Sequence, residues 1–302
     1  MAKMKVTFYL GRVWSAGGDF PLIQLSNGTK SSDKRRMPMK LSRWPKTICI
    51  FSILTSCAER IEFPVGRIID LSYAYDSTTI YWPTEKGFAL EKGFEGVTPA
   101  GFFYTANRFW TPEHGGTHID APIHFYKGRR TVDEIPLDQL IGNGIVVDVS
   151  EKCSENRDYQ VIMEDFLEWE DDNDRIPEGA IVLIRTGYGK YWPDRKMYMG
   201  TTERGDAAVA KLHFPGLHPE AAKWLATSRS IKAVGLDTPS IDYGQSTRFE
   251  SHVTLCEKNV PAFENVANLD KLPMKGFMVI ALPMKIRGGS GGPLRIAAIV
   301  PE

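Results

Sequence analysis

Apolar residues along the chain fall into short runs and alternations that predict a strand-rich fold. The β-branched and aromatic residues of 67–82 predict a strand followed by a turn, and the alternating aromatic run at 101–110 predicts another strand. Short, almost wholly apolar runs predict further strands at 145–149, 181–185, 231–236, 277–282 and 294–299.

Two segments have the periodicity and terminal residues of helices. Asp158 can cap a helix over 159–170, in which one apolar stripe repeats at helical spacing. The residues of that stripe are Ile162, Phe166 and Trp169. Pro219 stands at a favourable first-turn position for a second helix that runs to about residue 226. Because strands outnumber helices and some are separated by helices, we expect one mixed α/β or α+β domain.

The charge balance disfavours a nucleic-acid-binding or membrane-surface protein. The 302-residue chain has 37 basic and 37 acidic side chains and a net charge of zero. No field of one sign therefore favours nucleic acid or an anionic membrane as a partner. A hydrophobic content of 42% is ample for a packed core.

Residues 1–60 are expected to be a leader to a domain at 61–302. Within the leader, residues 37–58 have a basic start, a short apolar run and then small residues, which is the layout of a secretory signal peptide. Either translation begins near residue 37 and the protein is secreted, or this is an ordinary buried strand of a cytoplasmic protein. Beyond the leader only Cys153 and Cys256 remain, as one bridge or two free thiols, too few for a disulfide framework.

The segment HGGTHIDAPIH at 114–124 contains three of the six histidines and an aspartate. Imidazole nitrogens and carboxylate oxygens are preferred ligands of Zn²⁺ and similar divalent cations, so the segment predicts a metal site. Gly115, Gly116 and Pro122 disfavour a helix, and we expect an extended or looped chain. In an extended chain the side chains at positions 114, 118, 120 and 124 can all project to one face.

Chain length limits which of these side chains can share an ion. Full extension from His118 to His124 spans roughly 20 Å, which is too far unless the chain bends at residue 121 or 122. His114, His118 and Asp120 are therefore the better ligand set. His124 is left as either a ligand brought in by a bend or an acid/base group beside the metal.

The C-terminal half contains further candidates without a compact motif. The turn-rich sequence LDTPSIDYG at 236–244 follows a predicted strand, and His252 and Glu264 come after it. Spacing alone does not assign them, since a lone histidine or glutamate is more often structural or solvated.

Taken together, these segments resemble the cyclase-like metal-dependent hydrolases. The likeness extends from about residue 67 to 299, and it includes IIDLS, HGGTHIDAPIHF, DTPSIDYG and LPMKIRGGSGGPLR. It implies a mixed α/β single domain of the swivelling β/β/α type, whose strand-rich core has mixed sheets or a partial barrel flanked by helices. It also implies a homo-oligomer, as a dimer or a tetramer.

The resemblance assigns a role to each matching site residue. It implies one or two divalent ions per subunit, zinc or manganese, with Asp120 as the bridge where a second ion is bound. The implied metal ligands are His114, His118, Asp120, His252 and Glu264. His124 matches the catalytic histidine of the family.

The expected reaction is metal-dependent amide hydrolysis. A divalent cation activates water, and His124 would take the proton of that water and return it to the leaving nitrogen. The resemblance favours an arylformamidase that converts N-formylkynurenine to kynurenine and formate in tryptophan catabolism. The stretch HFPGLH at 213–218 looks slightly more like the isatin hydrolase branch, which opens a cyclic amide. A metal-binding protein without turnover stays open as a different class.

Aromatic residues near the histidine segment indicate a small aromatic amide as substrate. Trp82, Phe109 and Trp110 are the candidates for stacking against it, although core packing explains most such residues equally well.

Overall fold

The computed structural model describes residues 65–302. The expected leader at 1–60 and the signal-like segment at 37–58 lie outside the described residues, so secretion stays a prediction. Within the described residues, no helix is both long and apolar enough to cross a membrane.

Strands form most of the framework, and each strand predicted from the sequence overlaps an observed one. The strands are β1 Gly66–Asp70, β2 Ala89–Val97, β3 Phe103–Trp110, β4 His118–Asp120, β5 Ile141–Asp148, β6 Gln160–Val161, β7 Ile181–Arg185, β8 Gly216–Leu217, β9 Ala233–Leu236, β10 Ala262–Glu264, β11 Phe277–Pro283 and β12 Gly291–Pro301.

Seven of these strands close into a barrel-like ring through the long strand β12. From β12 the order is β11, β5, β7, β9, β10 and β4, and β4 pairs with β12 again. The pairs β5–β7, β7–β9 and β9–β10 are parallel, and the other pairs in the ring are antiparallel. The expected mixed α/β domain with a barrel-like sheet is confirmed, and β1 extends the sheet along β12.

The apolar runs exist because both faces of the central strands are buried. In β7, Ile181 and Leu183 belong to the core that fills the ring, whereas Val182 and Ile184 belong to a second core outside it. Successive side chains of a strand point to opposite faces, so a strand between two cores has no polar position to alternate with.

Helices cover the outer core, except the first, which contributes Leu140 to the core inside the ring. They are α1 Leu137–Leu140, α2 Ser150–Glu155, α3 Met163–Asn173, α4 Arg195–Met199, α5 Asp206–Val209, α6 Pro219–Ser228 and α7 Glu250–Glu257. Pro219 occupies the first turn of α6, as predicted. Cys153 in α2 and Cys256 in α7 are buried free thiols, so they do not form a bridge.

The predicted helix over 159–170 is partly wrong. Residues 160–161 form β6, which pairs in parallel with β8, and the helix begins only at Met163. The Asp165 carboxylate accepts the backbone N–H of Ile162 at 2.8 Å and satisfies the start of the helix. Asp158 is instead hydrogen-bonded by the ring of His213 at 2.7 Å. Propensity did not reveal β6, because its partner strand lies more than fifty residues away.

The hairpin of β2 and β3 stands apart from the ring. The two strands pair only with each other, with a bulge between Lys92 and Glu95. β2 was not predicted, because its residues mix charged, apolar and glycine positions without a clear period.

The inner core gives a stability prediction. Leu183→Ala is expected to lower the free energy of unfolding by about 2–5 kcal/mol, because Leu183 is fully buried inside the ring. Leu137→Ala is the matched control, since Leu137 is 65% exposed, and its effect should stay within about 0.5 kcal/mol. Urea denaturation of both variants measures the difference, and equal losses would contradict the placement of Leu183.

Candidate metal centre

The histidine segment is extended over only three residues. Gly115 and Gly116 have φ angles of 147° and 58°, which turn the chain before β4. After β4, residues 122–124 form a 3₁₀ turn. The segment thus combines extended and looped chain, and the bend at Pro122 brings His124 back to the other histidines.

Strand register and one helix bring four of the predicted side chains together. His118 and Asp120 alternate with Ile119, whose side chain lies in the inner core, so both point away from the ring interior. On the neighbouring strand β10, Glu264 lies directly opposite His118. Helix α7 then supplies His252 against this edge of the sheet.

Asp120 connects two groups of potential metal ligands. Its Oδ1 lies 2.6 Å from His114 Nδ1 and 3.2 Å from His118 Nε2. Its Oδ2 lies 2.9 Å from His252 Nε2, which is also 3.1 Å from Glu264 Oε1. The ligand atoms therefore form two sets, and all atoms of one set lie within 4.8 Å of one another. The first set comes from His114, His118 and Asp120, and the second comes from Asp120, His252 and Glu264.

Hydrogen bonds fix which nitrogen of each histidine faces Asp120. His252 Nδ1 donates to Asp242 at 2.6 Å, and His118 Nδ1 donates to the carbonyl of Gly116 at 3.0 Å. In both rings the other nitrogen, Nε2, is left to face the shared carboxylate. An outer acceptor of this kind is typical of metal-binding histidines.

His114 is held in the same way through a serine. The Ser290 hydroxyl donates to Glu113 at 2.6 Å, so it accepts from His114 Nε2 at 2.8 Å. His114 Nδ1 is thereby left to face Asp120. Three imidazole nitrogens and two carboxylates converge, and this donor set fits a borderline divalent cation.

Buried charge dominates the electrostatics of the centre. Burial alone would raise the pKa of Asp120, but the charges of His114 and His118 hold that pKa well below its usual range. Burial and the nearby Asp120 raise the pKa of Glu264. Burial favours neutral His252, yet hydrogen bonds to Asp120, Asp242 and Glu264 raise its pKa well above the usual value. A proton on His252 therefore compensates part of the negative charge of the neighbouring carboxylates.

His124 lies beside both groups and belongs to neither. Its ring stacks on His114 with centroids 3.8 Å apart and stands 6.2 Å from the ring of His252. Burial, together with the neighbouring histidines and against the effect of Asp120, lowers the pKa of His124 to about 4. The ring is therefore neutral near pH 7.

A cavity of about 260 Å³ opens onto the centre. Its wall beside the histidines is aromatic, and it includes Trp82, Phe125 and Phe249. Phe125 stacks on His252 at 4.3 Å, and Phe249 lies 6.2 Å from Trp82. Glu85 also lines the cavity, and no lysine or arginine does so within residues 65–302.

The structure does not bring every predicted substrate residue to this cavity. Trp82 lines it, whereas Phe109 and Trp110 lie on the β2–β3 hairpin with 53% and 51% of their surface exposed. Sequence reasoning missed the roles of Asp242 and Ser290, which orient histidines. Asp242 lies within the quoted stretch DTPSIDYG, but its position ten residues before His252 gave no recognisable spacing.

Comparisons with known proteins agree with the geometry. The model of the putative cyclase family matches residues 69–243. An isatin hydrolase from Roseibium aggregatum is 31% identical over 210 residues, which are 67% of this chain and 77% of that protein. A kynurenine formamidase from Salinibacter ruber is 30% identical over 182 residues, covering 60% of this chain and 74% of the relative.

Solved structures show the same similarity. Isatin hydrolase A from Labrenzia aggregata, bound to benzyl benzoate, superposes with a TM-score of 0.69 at 34% identity. The match covers 78% of this chain and 94% of that structure. With its fold, its clustered histidines and carboxylates and these relatives, the chain belongs to the cyclase family.

Proposed function

We propose that this protein is a metal-dependent hydrolase of small aromatic amides. The observation that carries the proposal is the position of Asp120, whose two oxygens face two separate sets of ligand atoms beneath a cavity. A divalent cation bound there supplies Lewis-acid polarisation of the substrate carbonyl and lowers the pKa of water. Small aromatic amides suit the relatives, which are named for isatin and kynurenine.

The proposed ligands form two overlapping sets. His114, His118 and Asp120 hold one ion, and Asp120, His252 and Glu264 hold a second where two are bound. Zinc and manganese are the proposed ions, because imidazole and carboxylate together suit both. The ligand nitrogens need no rearrangement, since their hydrogen bonds already direct them toward Asp120.

His124 is the proposed general base and acid. It takes the proton of the attacking water and returns it to the leaving nitrogen, a role that requires a neutral imidazole beside the reacting atoms. No protein group within residues 65–302 hydrogen-bonds its ring, so the ring nitrogens stay available. Residues 288–292, GGSGG, match the GxSxG pattern of a serine nucleophile, but they lead into strand β12 instead of forming a strand-to-helix turn. The Ser290 hydroxyl donates to Glu113, so Ser290 is not proposed as a nucleophile.

N-formylkynurenine is the first proposed substrate, and its hydrolysis would give kynurenine and formate. The aromatic side chains of Trp82, Phe125 and Phe249 can pack against its ring, and Glu85 can pair with its ammonium group. We also propose that the protein forms a homo-oligomer.

A specific observation favours isatin as a second candidate. The described cavity lining contains no lysine or arginine to pair with the carboxylate of an amino acid, and isatin has no carboxylate. Opening of its cyclic amide needs the same water attack. Steady-state hydrolysis of N-formylkynurenine and of isatin by metal-loaded protein separates the two. Hydrolysis of neither amide would contradict the proposed function.

Removing the base should abolish turnover but not metal. His124→Ala is expected to lower kcat by about 100-fold or more, since a positioned proton-transfer group contributes 10²–10⁴-fold. Bound metal should remain at the wild-type level, because His124 lies outside both ligand sets. His213→Ala is the control, as His213 pairs with Asp158 away from the cavity. A full rate in His124→Ala would make the catalytic assignment wrong.

The outer acceptor of His252 should tune metal affinity. Asp242→Asn keeps the shape but removes the charge that holds His252 Nδ1, so we expect metal binding about 10–100-fold weaker. Asp171→Asn, an exposed acid on α3, should leave the affinity unchanged. Calorimetric titration with Zn²⁺ or Mn²⁺ measures both variants, and equal affinities would show that Asp242 does not support the site.

Metal binding should compete with protons. Burial lowers the pKa of His252, but the surrounding carboxylates raise it by more. The net pKa therefore lies above the usual histidine value. A cation must displace that proton, so affinity is expected to fall as pH drops through the raised pKa and to recover above it. Calorimetry in buffers of different ionisation enthalpy should show net proton release, and binding without release would disagree with this electrostatic picture.

A further inference from the structure

Asn265 directly follows the proposed ligand Glu264, and both ends of its side-chain amide are hydrogen-bonded. Its Nδ2 donates to the carbonyl of Gly116 at 2.7 Å, and its Oδ1 accepts from the hydroxyl of Tyr198 at 2.9 Å. The residue is buried at the wall of the cavity. Its φ angle is 53°, a left-handed conformation that asparagine adopts more readily than most residues. The amide is therefore held in one place and in one orientation.

The Gly116 carbonyl connects Asn265 with the proposed ligand His118. This one oxygen accepts from His118 Nδ1 at 3.0 Å and from Asn265 Nδ2 at 2.7 Å. The ring of a metal-binding histidine is oriented by the acceptor of its second nitrogen. Gly116 lies in the turn before β4, so a strand partner does not fix its carbonyl. The direction in which His118 Nε2 points thus depends on the amide of Asn265.

Tyr198 determines which end of the Asn265 amide faces Gly116. A backbone carbonyl can only accept a hydrogen bond, so the amide nitrogen must face Gly116 and the amide oxygen must face the phenol. The Tyr198 hydroxyl lies 2.9 Å from that oxygen and 3.0 Å from the carbonyl of Asp237, so it is a donor to acceptors only. Tyr198 is fully buried on α4. Helix α4 thereby supports the turn that carries His118.

The backbone of Asn265 joins the two distant parts of the site. Its N–H donates to the carbonyl of Thr238 at 2.9 Å, and its carbonyl accepts from the hydroxyl of Thr117 at 2.7 Å. Thr117 immediately precedes His118, and Asn265 immediately follows Glu264. One residue therefore fixes the histidine segment relative to β10, where Glu264 Oε2 lies 3.4 Å from His118 Nε2.

We propose that Asn265, with its amide oriented by Tyr198, is a positioning residue of the metal centre. It sets the ring of His118 through the Gly116 carbonyl and sets the distance of that ring from Glu264. Asn265 is not a ligand, because both ends of its amide are already hydrogen-bonded within the protein. The inference rests on the proposed metal-dependent function and adds to it a group outside both ligand sets.

Metal affinity measured beside stability separates positioning from a purely structural role. Asn265→Gly removes the amide and tolerates the left-handed backbone without strain. The folded variant should bind Zn²⁺ about 10–100-fold more weakly than the wild type in a calorimetric titration. Asp165→Ala is the control, since Asp165 is equally buried but its hydrogen bonds hold the start of α3. The control should lose stability in urea and keep the wild-type affinity.

A folded Asn265→Gly variant with the wild-type affinity would overturn the proposal, whatever its stability. The proposed function would then still stand, because the wild type would bind metal and turn over its substrate. A wild type that binds no ion would instead contradict the proposed function and this inference together.

A change of one oxygen atom covers the case in which Asn265→Gly does not fold. Tyr198→Phe keeps the buried ring but leaves the Asn265 amide without its donor, so Zn²⁺ binding should weaken by about 10-fold. Tyr188→Phe is the matched control, since the Tyr188 hydroxyl donates to the carbonyl of Arg157 and not to a group of the site. Equal affinities of the two phenylalanine variants would overturn the proposal.

Discussion

A buried carboxylate shared between two sets of ligands is the constraint around which the rest of this fold is arranged. Asp120 is 1% exposed, and Glu264 is also buried. Both carboxylates lie within hydrogen-bond distance of His252 Nε2. Two carboxylates out of water are costly unless positive charge compensates them. A divalent cation supplies that charge in place of protons, and the ligand nitrogens of the histidines already face the shared carboxylate.

The closure of the ring is what allows this arrangement. β4 is only three residues long, yet it pairs with β10 on one side and with β12 on the other. Both of its polar side chains are thereby fixed against a rigid sheet, and Gly291 of β12 leaves room for the ring of His114. A Cβ atom at Gly291 would stand only 2.6 Å from that ring. Three of the five proposed ligands lie on strands and His252 lies on a helix, whereas His114 lies on the loop before β4.

Sequence reasoning found what is local and missed what depends on closure. The ligand set in residues 114–124 was readable because residue type and spacing are concentrated there. His252 and Glu264 entered only through family resemblance, since nothing in their spacing shows that α7 and β10 meet β4. The sequence showed that the chain must bend at residue 121 or 122 if His124 is to approach the other histidines. The direction of that bend is set by the 3₁₀ turn at 122–124, which the sequence did not reveal. Phe109 and Trp110 were predicted to lie near the substrate because they precede the histidines, but strand pairing places them on the β2–β3 hairpin.

The residues that flank the β2–β3 hairpin in the chain also line the substrate cavity. Trp82 and Glu85 precede β2, Pro112 and His114 follow β3, and all four line the cavity. The β2–β3 hairpin therefore begins and ends at the wall of the cavity. Aromatic residues of the same stretch of chain serve two purposes, with Trp82 facing the cavity and Trp110 facing outward.

Elemental analysis of the loaded protein tests the shared carboxylate most directly. After incubation with Zn²⁺ or Mn²⁺ and removal of free ion, the wild type should retain one or two ions per chain. Asp120→Asn, which keeps the size of the side chain but removes its charge, should lose them while remaining folded. A folded wild type that binds neither ion, or an Asp120→Asn variant with undiminished metal content, would contradict the central role of Asp120.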